Sequence, residues 1–129
     1  AGTADAIYQK VIALPHRRPS PAEAQATIDR IVACLAPYRP QQIWLFGSYA
    51  RGDYHAASDI DLLIVKETSL PYNERAADVW RLCATGDSPL PIEPLIYTPA
   101  EFARMRARRN PLIERVLEEG KLLYEQQPD

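Results

Sequence analysis

The sequence predicts an α/β (α+β) fold, a small mixed β-sheet flanked by helices, and three observations carry that prediction. Ile60–Val65 is almost continuously apolar, as a central strand buried on both faces requires. Short runs rich in β-formers alternate along the chain with stretches whose apolar residues recur at helical spacing. The junctions carry turn and cap chemistry, with 12 prolines placed mostly between elements rather than inside them.

In chain order, Ile7, Tyr8, Val11 and Ile12 suggest a short first helix, and His16–Pro19 reads as a flexible joint. Residues 1–19 are therefore assigned to an N-terminal helix and joint, and residues 20–129 to one domain. Ser20-Pro21-Ala22-Glu23 supplies an N-cap serine, a proline at the first helical position and a glutamate at the third. Ile28, Ile31, Val32 and Leu35 then form one stripe, and Pro37 and Pro40 stop the helix near Tyr38. Gln42–Phe46 is a strand ended by Gly47. Pro71–Thr85 carries Ala76, Val79, Trp80 and Cys83 at helical spacing, with Gly86 as its C-cap. Trp44 and Trp80 are assigned to the core. Ile92–Tyr97 is a third strand, Thr98-Pro99-Ala100-Glu101 repeats the capping logic, Asn110-Pro111 opens a helix closed by Gly120, and Lys121–Glu125 is a last short strand.

A chain of 129 residues suits one compact core. The net charge of -2 gives no global reason to bind nucleic acid or an anionic membrane, and direct nucleic-acid binding is not expected. No stretch approaches the ~20 apolar residues that span a bilayer. Cys34 and Cys83 lack metal-ligand spacing and read as buried free thiols, which points to a reducing, cytoplasmic setting. Neither a GKS/T phosphate loop nor a GxGxxG run is present, which counts against P-loop and Rossmann chemistry.

The chemistry concentrates in Gly47-Ser48-Tyr49-Ala50-Arg51-Gly52-Asp53 and, beyond Tyr54–Ser58, in Asp59-Ile60-Asp61. Gly47 permits a sharp turn and close approach of a ligand to the backbone. Ser48 opens a helical turn whose free N–H groups and hydroxyl suit phosphate oxygens. Residues two apart on a strand face the same side, so Asp59 and Asp61 point together while Ile60 and Leu62 enter the core. Paired carboxylates repel unless a cation separates them, and hard oxygen ligands favour Mg²⁺. A structural reading makes Ser48 a helix cap and Asp59 a turn residue but leaves Asp61 unexplained inside an apolar strand. Arg51 lies within reach of a phosphate, or caps the short helix, or pairs with Asp53. Tyr49 reads as packing, His55 as a loop residue, and Arg104, Arg106, Arg108 and Arg109 as a solvated helix face.

The run GSYARGDYHAASDIDLLIV resembles the polymerase-β-type nucleotidyltransferase superfamily and, within it, the minimal nucleotidyltransferases found as antitoxins beside HEPN-domain toxins. The resemblance implies that fold, a triphosphate held by Gly47 and Ser48, and metal ions, Mg²⁺ or Mn²⁺, on Asp59 and Asp61. Glu93 matches the family's third carboxylate, one methylene longer than the commoner aspartate, and Pro94 beside it favours an edge strand or bulge. The activity implied is transfer of a nucleoside monophosphate, AMP from ATP, to a hydroxyl. The helical domain of larger members is not expected here, so the resemblance implies a protein partner, a HEPN-type toxin. Two alternatives stand beside this: a non-catalytic binding module that keeps a nucleotide pocket, and transfer to a small molecule or RNA.

Overall fold

Residues 17–84 and 91–128 are described by a computed structural model, and every range below falls within them. The helix expected at Ile7–Ile12 and the Gly86 cap lie outside the described residues.

Helix α1, Pro21–Cys34, starts where the capping signal places it: the Ser20 hydroxyl accepts the Glu23 N–H, and the Glu23 carboxylate accepts the Ser20 N–H. It ends earlier than Tyr38. Pro37 has no N–H to continue the ladder and its ring would crowd a carbonyl one turn back, so Ala36–Tyr38 tightens into a 3₁₀ turn. Strand β1, Gln42–Phe46, follows, and then α2, the four-residue turn Ser48–Arg51. Strand β2 is Ile60–Val65. The helix expected from Pro71 instead opens as a 3₁₀ turn at Tyr72–Glu74 and becomes α3 at Ala76–Cys83. Strand β3, Ile92–Tyr97, leads into α4, Pro99–Ala107, capped reciprocally by Thr98 and Glu101. Helix α5, Pro111–Glu119, and strand β4, Lys121–Glu125, complete the chain.

The four strands lie in the order β3-β2-β1-β4. β1 is antiparallel to both β2 and β4, while β2 and β3 are parallel, so the sheet is mixed as expected. Period two splits the side chains between two cores. Ile43, Leu45, Ile60, Leu62, Ile64, Ile92 and Ile96 pack beneath α1 and α3. Phe46, Leu63, Val65, Leu95 and Tyr97 pack with α4 and α5 on the other face. Covering both faces explains why β2 is apolar at every position but Asp61, and full burial of each large side chain contributes about 1.5–3 kcal/mol.

β3 is an edge strand, which accommodates Pro94. Ile60 N–H bonds the Pro91 carbonyl and Lys66 N–H the Tyr97 carbonyl. The odd-numbered residues of β3 therefore turn their polar groups toward β2, and Pro94 has its missing N–H on the outer side, where no ladder bond is lost. Two carbonyls on that outer side find other donors: Trp80 Nε1 reaches Ile92 O at 3.4 Å, and Arg75 reaches Ile96 O at 3.1 Å. Arg75 is buried, and its guanidinium also forms a two-pronged ion pair with Glu101. That partner, reinforced by the Thr98 N–H, holds the Glu101 carboxyl down at about 2.

Two expectations are corrected. Cys34 and Cys83 are not free thiols but a disulfide joining the ends of α1 and α3, with Cα atoms 5.5 Å apart. Both helices lie on the same side of the sheet, with Cys83 buried and Cys34 partly buried, a proximity that chain spacing does not reveal, and the case for a reducing setting built on free thiols loses its basis. Trp80 is not core: it is 50% exposed, lying over the β3 edge rather than beneath it. Among the described residues no helix is long and apolar enough to cross a membrane.

Candidate active site

The topology gathers the motif residues at one end of the sheet. β1 ends where β2 begins, because the two are antiparallel, and β3 begins there too, because it is parallel to β2. Phe46 is thus the register partner of Asp61, and Asp61 that of Glu93. Register partners on parallel strands project to one side, at the ~4.8 Å spacing of neighbouring strands. That side is the face of Leu63 and Leu95, which α4 and α5 cover further along; Asp61 and Glu93 occupy its uncovered end.

Gly47 makes the junction possible. Its φ of 74° and ψ of -154° belong to a region that side chains rarely adopt, and a Cβ there would overlap Asp61 Oδ2 and stand 3.0 Å from Asp61 Cγ. Asp61 therefore lies directly against the backbone of the turn. Ala50 and Arg51 both donate to the Gly47 carbonyl, which leaves the Ser48 and Tyr49 N–H groups ahead of the helical ladder and available to an anion.

Asp59 and Glu93 are exposed and Asp61 is half-buried. None of the three carboxylates has a hydrogen-bond or ion-pair donor among the described residues. Burial pushes the Asp61 carboxyl up from its ordinary range; the charges of Asp59 and Glu93 push it further, and Arg51 opposes them. The three acids thus act on one another electrostatically, with Asp61 in the middle. Among the described residues no three His, Cys, Asp or Glu side chains close on a common point as metal ligands do. The donor set, hard oxygens with mutually repelling charge beside a cradle that admits no Cβ, fits a divalent cation of the Mg²⁺ type.

Arg51 stands at the rim and makes the Asp53 pair that one alternative of the sequence reading names. Its Nε meets Asp53 Oδ2 at 3.3 Å and its Nη1 meets Glu119 Oε1 at 3.0 Å. The Asp53 hydrogen bond, more than Glu119, raises its pKa above the usual arginine range. Glu119 carries no motif; it lies 68 residues away at the end of α5, and only the fold brings it to Arg51.

The other candidates separate clearly. Tyr49 packs, its ring stacked on Tyr54 with centroids 4.3 Å apart. Arg18 lies over the opposite partner of that stack, 4.4 Å from the Tyr54 centroid, and donates to the Gly52 carbonyl, while the Tyr54 hydroxyl donates to Pro19 O. The described part of the expected joint is therefore fastened to the loop between Gly52 and Tyr54. His55 is an exposed loop residue whose Nδ1 accepts the Ala57 N–H. Arg104, Arg106, Arg108 and Arg109 are exposed, and Arg109 pairs with Glu114 at 3.4 Å.

Comparison with known proteins gives the family and the fold. The sequence profile of the family described as "Nucleotidyltransferase domain" matches residues 28–123. A candidate protein adenylyltransferase of Methanocaldococcus jannaschii is 46% identical over 52 residues, which are 39% of this chain and 52% of that protein, so the match spans about half the relative's length. Among solved structures, a chain of a toxin–antitoxin complex with AMP-PNP is 25% identical with a TM-score of 0.54, covering 77% of this chain and 73% of that one. A candidate nucleotidyltransferase from Sulfolobus solfataricus shares the fold at 22% identity and a TM-score of 0.54, over 78% and 79% of the two chains. So does a chain of the tri-AMPylated Shewanella oneidensis HEPN toxin in complex with its MNT antitoxin, at 22% and 0.51, over 81% and 74%.

Proposed function

Since the chain belongs to the nucleotidyltransferase domain family, we propose that this nucleotidyltransferase moves AMP from ATP to a hydroxyl on a partner protein, acting as the antitoxin of a HEPN-type toxin. The observation that carries the reading is the register pair Asp61 and Glu93 set against the Gly47–Ser48 turn. Carboxylates and phosphate donors meet there at a surface open to a macromolecule.

Each residue then has a task. The Ser48 and Tyr49 N–H groups and the Ser48 hydroxyl hold the triphosphate. Asp59, Asp61 and Glu93 would hold divalent metal, Mg²⁺ or Mn²⁺, which would supply neutralisation of phosphate charge. Glu93, exposed at the mouth, accepts the proton of the attacking hydroxyl. The acceptor oxygen forms a bond to the α-phosphorus, the bond from that phosphorus to the bridging oxygen breaks, and pyrophosphate leaves. Positioning and charge neutralisation supply most of the acceleration in such displacements.

The partner assignment draws on two relatives, the candidate protein adenylyltransferase and the toxin–antitoxin complex with AMP-PNP. A second reading is a binding antitoxin without transfer, favoured by Glu93, one methylene longer than the commoner aspartate, and by Pro94 beside it. One experiment separates them. The chain is incubated with a HEPN-type toxin, Mg²⁺ and ATP labelled at the α-phosphorus, alongside an Asp59→Asn/Asp61→Asn variant. Label on the toxin that the variant cannot place there supports transfer. A tight complex that stays unlabelled with either Mg²⁺ or Mn²⁺ supports binding alone, and label on RNA or a small molecule redirects the acceptor.

A further inference from the structure

Arg51 sits at the end of the phosphate-binding turn, and its orientation is imposed from outside that turn. Asp53 takes Nε and Glu119 takes Nη1, and no partner for Nη2 lies among the described residues. Glu119 is itself well anchored. It is the last residue of α5, its side chain is only 24% exposed, and the next residue is pressed against β1. Gly120 donates to Val116 O at 2.8 Å, and a Cβ on Gly120 would stand 3.0 Å from the Leu45 carbonyl, two residues before Gly47. The end of α5 is thus fixed relative to the strand that carries the turn. An arginine at the rim, 44% exposed, would otherwise sample many rotamers, and an anchored carboxylate selects among them.

We propose that Glu119 is a positioning residue for nucleotide binding, holding the Arg51 guanidinium so that its remaining edge faces the phosphates seated on the Gly47–Ser48 turn. This role rests on the function proposed above and extends it to a residue outside the motif. Glu119 touches no substrate; it acts through Arg51.

The test is a thermodynamic cycle, read as the affinity of the full chain for a non-hydrolysable ATP analogue with Mg²⁺, measured by calorimetry. Glu119→Ala is expected to weaken binding about three- to fivefold, the scale of a partly exposed ion pair. Glu119→Gln, which keeps an oxygen acceptor for Nη1, is expected to stay near the wild type. Arg51→Ala should lose more, and the Arg51→Ala/Glu119→Ala double variant should bind no more weakly than Arg51→Ala, because Glu119 has nothing left to position. Unchanged or tighter binding by Glu119→Ala, or a Glu119 effect undiminished without Arg51, overturns the role while leaving the proposed function standing. A wild-type chain that does not bind the analogue at all overturns both.

Discussion

Asp61 on β2 and Glu93 on β3 are register partners across a parallel strand pair, so two acids 32 residues apart in sequence project side by side from one face of the sheet. Neither has a basic residue bonded to it among the described residues, and Asp61 carries a raised pKa through burial and its acidic neighbours. Such an arrangement costs stability when no cation is present, which makes its first consequence measurable.

Replacing Asp61 with Asn removes the central charge but keeps the shape. With divalent ions chelated, the variant is expected to melt above the wild type, because a half-buried charge and its repulsion by Asp59 and Glu93 are removed. Transfer activity should fall at least about a hundredfold, as for loss of a principal electrostatic contact. Scanning fluorimetry in EDTA checks the first half, and a lower melting temperature would show that Asp61 has a stabilising partner instead.

Gly47→Ala should damage fold and site together. The backbone at φ 74° strains any side chain, and the new methyl must displace the Asp61 carboxylate. A loss of about 1–3 kcal/mol in urea unfolding is expected, with activity lost even below the melting transition.

The Arg75–Glu101 pair sets an acid limit. Glu101 has its pKa depressed to about 2 in the folded chain, chiefly by its hydrogen bonds to Arg75. A depressed carboxylate contributes stability above its unfolded value, near 4.5, and loses it as pH falls toward 2. Glu101→Gln should therefore cost stability at pH 6, about 3 kcal/mol because Arg75 stays buried without its counter-charge, and progressively less as pH falls through that window. Urea midpoints of the two proteins that stay equally far apart from pH 6 to pH 2.5 would contradict this.

The disulfide between Cys34 and Cys83 closes a loop with a sequence separation of 49. Chain entropy alone assigns such a cross-link about 4 kcal/mol of stabilisation. Unfolding with and without reductant, beside a Cys34→Ser/Cys83→Ser variant, should show that loss only for the wild type. A wild-type midpoint indifferent to reductant would mean that the bond contributes nothing in solution.

What the sequence could reveal tracks how local each cause is. The capping boxes at Ser20 and Thr98, the apolar run of β2 and the turn at Gly47 are written in neighbouring residues, and each forms where expected. Gly47, Ser48, Asp59 and Asp61 stand out for the same reason, as one strand–turn–strand passage. Glu93 was reachable only through the resemblance, and the parallel register then places it beside Asp61. The pairing of Cys34 with Cys83, the exposure of Trp80 and the approach of Glu119 to Arg51 depend on how separate helices dock. No periodicity or motif encodes such docking, so these features were misread or unseen until the elements were assembled.

Asp59, Asp61 and Glu93 are proposed to form one metal-dependent site for a nucleoside triphosphate. The most direct test is calorimetric titration of the full chain with a non-hydrolysable ATP analogue, in Mg²⁺ and again in EDTA, for the wild type and for Asp61→Asn and Glu93→Gln. The account predicts binding by the wild type that needs Mg²⁺ and is weakened at least about tenfold by either substitution. Binding that is equally tight in EDTA, or unaffected by both substitutions, would contradict it.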